Sequence, residues 1–165
     1  MGRYRKIETR TWSDEKFRSL SPIPPCGQGL WFFLLTGPHT GPIPGLFRAG
    51  RAGMAEDLGW DVESFDKAFD EVFAKGMVKA DFGARLVWLP NAIRYNRPES
   101  TNVIRAWREP LKDLPECILK DEAVEAIKAE MAEVGEAFFK VFNEISGGKP
   151  SPKPSPKPSP KPSPK

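Results

Sequence analysis

Apolar side chains recur at helical spacing along the middle of the chain. The clearest stripe consists of Phe65, Ala68, Phe69, Val72 and Phe73. This i, i+3, i+4, i+7, i+8 spacing places all five on one face of a helix. Asp61 precedes the stripe as a candidate N-cap, with Trp60 before it to pack onto Phe65, and Gly76 follows the stripe as a stop. The pattern predicts a helix over residues 62–75.

The elements on either side of this helix give the region a recognisable order. Residues 51–58 predict a preceding helix that ends at Gly59 in the left-handed conformation. After Gly76 the apolar period changes, and residues 77–81 and 85–89 predict two strands joined by Phe82-Gly83-Ala84, with Gly83 available for a positive φ. Two helices joined by a tight glycine turn and followed by a β-hairpin are typical of a winged helix-turn-helix.

The remaining apolar pattern predicts helices and one short extended segment. Ser13 is the candidate N-cap of a first helix, which Phe17 and Leu20 anchor. Residues 28–35 are apolar on all sides and predict a buried central helix. Leu46-Phe47 predicts a short buried strand or turn. Further helices are predicted over residues 102–108, with Val103, Ile104 and Trp107 pointing inward, and over residues 121–145.

The predicted fold class is therefore mainly α with a small β-hairpin. We divide the chain into a winged helix-turn-helix domain (residues 1–97), a helical extension (residues 98–146) and a tail (residues 147–165). From Lys149 the tail repeats Lys-Pro-Ser-Pro four times, and proline at every second position favours an extended, disordered chain. Such a tail can act as a spacer, a weak electrostatic tether or a proline-rich ligand.

The tail also changes the meaning of the overall charge. The chain has 25 basic and 22 acidic residues and a net charge of +3, but the tail holds five lysines and no acid. Residues 1–146 therefore carry a net charge of −2. Within them, residues 85–112 hold six basic and two acidic groups, whereas residues 113–146 hold nine acids and three lysines. The folded part is thus basic ahead of an acidic C-terminal segment, which is interpreted either as a solvated helix face or as a docking face for a basic partner.

The basic residues supply the candidate DNA contacts. In a winged helix the second helix of the motif enters the major groove and the hairpin flanks the duplex. We expect Arg48, Arg51, Lys67 and Arg85 to approach the duplex, with Lys79 on the wing. Backbone contacts are expected from Arg3, Arg5 and Lys6 on the N-terminal arm and from Arg94 and Arg97.

The helix over residues 62–75 is less favourable for DNA. Its exposed positions are Glu63, Ser64, Lys67, Asp70 and Glu71, so that face is net acidic and repels phosphates unless basic neighbours outweigh it. Glu63 and Ser64 lie in its first turn. Glu63 can accept a hydrogen bond from a cytosine amino group or serve only as a solvated acid that favours the helix dipole.

Other classes of function have little support in the sequence. No stretch reaches the ~20 apolar residues of a membrane helix, and no apolar segment of a secretory signal follows Met1. Cys26 and Cys117 form no ligand cluster, and His39, the single histidine, lies in a loop. We find no phosphate-cradling glycine motif and no nucleophile–base pairing. We therefore expect a cytoplasmic protein that is not an enzyme and has no cofactor or metal.

Several short sequence segments, taken in their order along the chain, resemble the N-terminal domain of phage and prophage replication-initiation proteins, also called replisome organisers. They are Pro44-Gly45-Leu46-Phe47, Ala55-Glu56-Asp57-Leu58-Gly59-Trp60, Phe65-Asp66-Lys67-Ala68-Phe69, Gly76-Met77-Val78-Lys79-Ala80-Asp81, Arg85-Leu86-Val87-Trp88-Leu89-Pro90-Asn91-Ala92, Arg94-Tyr95-Asn96, Asn102-Val103-Ile104, Trp107 and Leu114-Pro115-Glu116-Cys117. The resemblance covers residues 3–146.

This resemblance implies a winged-helix module that recognises double-stranded origin DNA in a bacterial host cell and helps to recruit a helicase or its loader. Self-association is a further expectation. Proteins of this kind continue past a Lys/Pro/Ser-rich linker, whereas this chain stops inside it, so recruitment is the less supported half of the function. Two alternatives stay open: a winged helix that binds only protein, and a phage transcriptional regulator.

Overall fold

The computed structural model describes residues 3–147, and the predicted tail beyond Gly147 lies outside this range. A 3-10 turn (Thr9–Ser13) precedes the first helix. The helices are α1 (Glu15–Arg18), α2 (Gly27–Thr36), α3 (Arg51–Leu58), α4 (Val62–Ala74), α5 (Ala92–Tyr95), α6 (Thr101–Arg105), α7 (Arg108–Asp113), α8 (Ile118–Val134) and α9 (Glu136–Ile145). The strands are β1 (Leu46–Arg48), β2 (Lys79–Asp81) and β3 (Leu86–Trp88).

The predicted class, mainly helical with a small antiparallel sheet, is confirmed. The sheet has the order β1-β3-β2, and both pairings are antiparallel. Leu46, which was expected in a short strand or turn, pairs with Trp88, so β1 adds a third strand to the predicted hairpin. The central strand β3 is buried along its whole length.

The corner between α3 and α4 follows from local sequence. Gly59 has a φ of 70°, which glycine adopts without the steric cost that a Cβ would bring. The Asp61 side chain then accepts a hydrogen bond from the Ser64 backbone N–H at 2.7 Å and caps α4. Phe65 and Val72 are fully buried. The predicted bounds of α3, the left-handed glycine and the cap of α4 are confirmed.

The hairpin loop differs from the prediction. Because Asp81 pairs with Leu86, the loop has four residues rather than three. The Ala84 N–H donates to the Asp81 carboxylate at 2.9 Å and braces this loop. Arg85, not Gly83, takes the positive φ, at 60°. A non-glycine residue in the left-handed region costs roughly 1–2 kcal/mol.

The sheet separates two hydrophobic cores. Phe47 and Val87 face a core formed with α1 to α4, whereas Leu46, Leu86 and Trp88 face a second core formed with α6 to α9. This division follows from the two-residue period of a strand, which sends successive side chains to opposite faces. Both faces of the sheet are therefore buried by helices.

Three other helix predictions are wrong. The cap of α1 is Asp14 rather than Ser13, since the Asp14 carboxylate accepts a hydrogen bond from the Phe17 N–H at 2.9 Å. The aspartate side chain is longer than that of serine and lies one residue closer to Phe17, so it reaches this N–H. The segment predicted as one helix over residues 102–108 forms α6 and the start of α7, and Val103 is 39% exposed while Ile104 and Trp107 are buried.

The third correction concerns the long C-terminal helix. The apolar spacing continues through residue 135, but the chain leaves helical geometry at Gly135, and α8 and α9 pack against each other. Glycine is a weak helix former, so packing two shorter helices together outweighs the continuity of the pattern. The central helix α2 also differs, since Leu30 and Leu34 are buried but Trp31 and Phe33 are only partly so.

Candidate functional site

A cleft opens where the hairpin loop meets the start of α3 and the start of α4. It is lined by Gly50, Arg51, Ala52, Gly53, Val62, Phe82, Gly83 and Arg85 and has a volume of about 670 Å³. Arg85 packs over the beginning of α3, since a Cβ built at Gly50 would lie 3.8 Å from its Cδ. We call this region the basic cleft.

Arg85 lines the basic cleft just before β3, and Arg48 lies at the adjacent end of β1, outside the lining of the cleft. Arg48 is opposite Leu86, and the Ala49 N–H donates to the Arg85 carbonyl at 2.9 Å. Both side chains belong to exposed residues. Neither forms a salt bridge with another residue in the range 3–147, so both guanidinium groups are available to a ligand.

Arg51 also lines the basic cleft, but it is already engaged. Its Nε and Nη2 donate to the two carboxylate oxygens of Asp66 on α4 at 2.9 and 2.5 Å. Its guanidinium lies 5.9 Å from the centre of the Phe82 ring. Asp66 therefore neutralises part of the positive charge of the cleft. This pairing depends on the angle between α3 and α4 and could not be predicted from residue spacing.

The first turn of α4 is polar and internally bonded. Ser64 donates through its backbone N–H and its Oγ to the two oxygens of Asp61, and these bonds lower the pKa of that carboxyl group. Lys67 pairs with Glu63 one turn earlier at 3.4 Å. Because both members of that pair are highly exposed, it contributes little to stability. Glu63, Ser64 and Lys67 thus lie in the first two turns of α4, which begins at Val62 of the basic cleft.

The exposed face of α4 is less acidic than predicted. Glu71 is turned toward the N-terminal region, where its carboxylate accepts from the backbone N–H and, at 2.7 Å, the hydroxyl of Ser21. It therefore fixes the segment before α2 rather than facing a ligand. Asp70 remains exposed on the outer surface, as does Phe73.

Three of the predicted DNA-contact residues form ion pairs with acidic residues of α8. Lys79 forms an ion pair with Glu122 and lies 5.6 Å from the centre of the Trp88 ring. Arg97 donates to Glu130 at 2.7 and 2.9 Å, and Arg94 lies 3.9 Å from the same carboxylate. The acidic C-terminal segment thus neutralises part of the basic segment that precedes it.

The N-terminal arm is bound to the protein surface. Arg3 donates to the Thr40 carbonyl at 2.6 Å, Arg5 donates to the Gly41 carbonyl, and the Lys6 backbone N–H donates to the Asn96 side chain at 2.9 Å. Burial, and secondarily the charge of Arg3, lowers the pKa of Arg5. These arginines hold the loop over residues 37–45. The loop is also held by His39, which pairs with Asp57 of α3.

The structure therefore divides the twelve predicted contact residues into groups. Two line the basic cleft, Arg51 and Arg85, and four lie outside its lining on the adjoining β1 and α4: Arg48, Glu63, Ser64 and Lys67. The arm residues and the three residues paired with α8 lie apart from this group in their contacts. Sequence reasoning missed Val62 and Phe82, which form apolar parts of the cleft and carried no chemical signal of their own.

Within residues 3–147, no group of three or more histidine, cysteine, aspartate or glutamate side chains is arranged to hold a metal ion. None of the helices in this range has both the length and the apolar character needed to cross a membrane. Comparison of the chain with protein-family models, with curated proteins and with solved structures finds no match.

Proposed function

We propose that this protein is a winged-helix protein that binds double-stranded DNA through the basic cleft. The observation that carries the proposal is the placement of Arg85, an exposed arginine without an ion-pair partner among the described residues, in the basic cleft at the start of α3, with exposed Arg48 on the adjacent end of β1. The proposed role is non-enzymatic binding that needs no cofactor or metal.

The order of elements supports the winged-helix part of the proposal. Helix α2, strand β1, helices α3 and α4, and the β2–β3 hairpin follow one another along the chain. The sheet order β1-β3-β2 places the hairpin loop at the same end as the start of α3, where both line the basic cleft. In winged helices that bind DNA, the helix equivalent to α4 meets base edges through its N-terminal residues.

The basic cleft has the chemistry that a phosphate backbone requires. Arginine binds phosphate with a planar fork of donors, and Arg48 and Arg85 can each engage one phosphate. Gly50 has no side chain with which to cap α3, so the first backbone N–H groups of that helix face the cleft without such a cap. Phosphate contacts there would position the start of α4 against the bases.

Arg51 and Asp66 add a second step to the proposed binding. In the free protein the Arg51 guanidinium donates two hydrogen bonds to the Asp66 carboxylate. A phosphate that enters the cleft competes with that carboxylate for the same donors. Binding through Arg51 therefore requires its ion pair to open, whereas Arg48 and Arg85 need no such exchange.

Salt-dependent binding tests the proposal directly. We expect the wild-type protein to bind duplex DNA with an affinity that falls steeply as salt rises, because each neutralised phosphate adds about 0.9 to the log–log slope. Arg48→Ala and Arg85→Ala should each weaken binding and reduce the slope by about one. Fluorescence anisotropy titrations at three salt concentrations measure both quantities.

Arg108→Ala is the matched control, since Arg108 is an exposed arginine of α7 that does not line the cleft. It should bind duplex DNA as the wild type does. No binding of the wild type to any duplex at low salt would refute the proposal. Equal losses in Arg108→Ala and Arg85→Ala would show that the basic cleft is not the contact surface.

We further propose that the protein acts in the initiation of phage or prophage DNA replication in the cytoplasm of a bacterial host. The resemblance of several sequence segments to replication-initiation proteins motivates this role, and a helicase or its loader is the corresponding protein partner. A nuclease footprint across the protein's own genome tests it: protection of an origin supports the role, and protection confined to a promoter supports transcriptional regulation instead.

The outer face of α4 favours a second candidate function, binding to protein alone. Glu63 and Asp70 are exposed there beside Phe73, an arrangement that repels phosphates but suits a protein surface. In that case charge reversal of Arg48 and Arg85 would leave capture of a host replication protein intact. Loss of both DNA binding and capture in the same variants favours the DNA-binding function.

A further inference from the structure

The N-terminal arm encloses a second cavity against α2 and α5. The cavity has a volume of about 500 Å³, within the range typical of ligand sites, and shares no lining residue with the basic cleft. Its floor is apolar and includes Phe17, Met77 and Ala92. We call it the arm cavity.

The contacts of the arm make this cavity preformed. The amide of Asn96 accepts from the Lys6 N–H at 2.9 Å, and its Nδ2 lies 3.2 Å from the Ala92 carbonyl and 3.5 Å from the Lys6 carbonyl. Asn96 thus ties the arm to α5, while Arg5 ties the preceding residues to Gly41. Because these hydrogen bonds already hold the arm in place, a ligand entering the cavity would not bear the entropic cost of ordering it.

The lining of the arm cavity combines aromatic rings with three basic side chains (Lys6, Arg10 and Lys16) and two acidic ones, of which Glu8 pairs with Arg10 and Asp14 caps α1. Tyr95 is 49% exposed and Trp31 is partly buried, so each presents ring surface to the cavity. Lys16 forms no salt bridge with a residue in the range 3–147, and Lys6 reaches only Glu99, at 4.0 Å. Tyr95 also lies near Arg10, whose pKa is raised chiefly by its hydrogen bond to Glu8 and further by Tyr95.

The Asn91 side chain, which lines the cavity, is available to form hydrogen bonds with a ligand. The hydrogen-bonding capacity of Asn96 is used by the arm, whereas the Asn91 side chain is exposed and does not cap α5. An amide offers both donors and an acceptor to the edge of a base. Asn91, Tyr95 and Trp31 therefore provide one polar edge and two ring surfaces around an apolar floor.

We propose that the arm cavity binds an unpaired base of single-stranded DNA, with the exposed ring of Tyr95 stacking on the base and Lys6 and Lys16 facing its phosphates. Stacking on an aromatic ring beside lysines is the general mode by which proteins hold single strands. A base within a duplex is stacked and paired, so it cannot enter such a cavity. The site is separate from the basic cleft and does not depend on duplex binding.

Binding to a labelled 12-nucleotide oligo-dT tests the proposal with the full chain. Loss of a base–aromatic stack weakens single-strand binding by about tenfold or more. We expect such a loss in Tyr95→Ala and a smaller one in Asn91→Ala, with quenching of tryptophan fluorescence when the wild type binds. Tyr4→Ala is the matched control, since Tyr4 is a 76% exposed arm residue that does not line the cavity.

The same variants titrated with duplex DNA separate this proposal from the preceding one. Tyr95→Ala should bind duplex as the wild type does, and Arg85→Ala should retain oligo-dT binding through the arm cavity. Failure of the wild type to bind oligo-dT at low salt overturns the proposal. Equal binding by Tyr95→Ala and Tyr4→Ala also overturns it and would leave the cavity to an apolar side chain of a protein partner. Circular dichroism confirms that each variant is folded.

Discussion

At the scale of single residues, Gly59 and Asp61 determine the corner between α3 and α4 through contacts with residues no more than four positions away. Asp61 and Gly59 were identified because capping and positive φ depend on neighbours within four residues. Pairings over long separations were not identified. Arg97 meets Glu130 and Lys79 meets Glu122, and nothing in the composition of either segment selects these partners.

Asp61 gives a prediction about pH at this scale. Hydrogen bonds from Ser64 favour the charged carboxylate in the folded protein and lower its pKa. The resulting stabilisation is present above the ordinary aspartate range and is lost as pH falls through the lowered pKa. Asp61→Asn keeps a capping side chain without the charge, so it should be less stable than the wild type at pH 7.

Urea unfolding of both proteins at pH 7 and at about pH 3 measures this difference. The gap between their unfolding midpoints should narrow at the lower pH, because Asp61 of the unfolded chain, with the ordinary aspartate pKa, is then largely protonated and the lowered pKa of the folded state stabilises less. All other carboxyl groups are common to the two proteins and cancel in the comparison. A gap that stays constant with pH would mean that the charge of Asp61 does not stabilise the fold.

At the scale of helices and strands, periodicity identified the long amphipathic elements but not the short or interrupted ones. The stripe on α4 was found with its bounds nearly correct. Helix α5 has only four residues, too few for a period to be visible, and was missed. The break at Gly135 was missed because the apolar spacing runs through it, although the glycine itself was a signal.

The packing of α6 against α9 gives a prediction about stability. Trp107 is buried and its ring meets Phe142 edge to face, with ring centres 6.4 Å apart. Trp107→Ala should therefore lower the free energy of unfolding by about 3–5 kcal/mol. Denaturant unfolding followed by circular dichroism measures the loss.

Val103→Ala, four residues earlier in α6, provides the control. Its side chain was predicted to point inward but is 39% exposed, so its truncation should change the free energy of unfolding by roughly 0.5 kcal/mol or less. Similar losses in the two variants would contradict the placement of α6 described above.

At the scale of the whole molecule, the sequence predicted a domain boundary between residues 97 and 98, but side chains from both sides of that boundary pack into one core. The C-terminal helices share a core with the sheet, since Leu86 and Trp88 are buried in the same cluster as Ile127 and Phe142. Charge patterning identified a basic part and an acidic part. It did not indicate that these parts neutralise each other through Glu122 and Glu130.

A shortened chain tests whether the two parts are independent. Ending the protein at Arg97 removes α6 to α9 and exposes one face of the sheet, which includes Leu46 and Trp88. We expect loss of a cooperative thermal transition and binding of a hydrophobic dye, whereas the full chain unfolds in one step. A shortened chain that unfolds cooperatively at the wild-type midpoint would show that residues 1–97 form an independent domain.

The central position of β3 also determines where this fold can accept insertions. Leu86, Val87 and Trp88 alternate between the two cores, so one residue added within the strand would exchange the faces and disturb both cores at once. In the adjoining loop, residues 82–85, Phe82 packs against the first core, but residues 83–85 belong to neither core. We therefore expect related chains to vary in hairpin length through this loop while keeping the length of β3 fixed, so that the reach of the hairpin can change without any change in the cores.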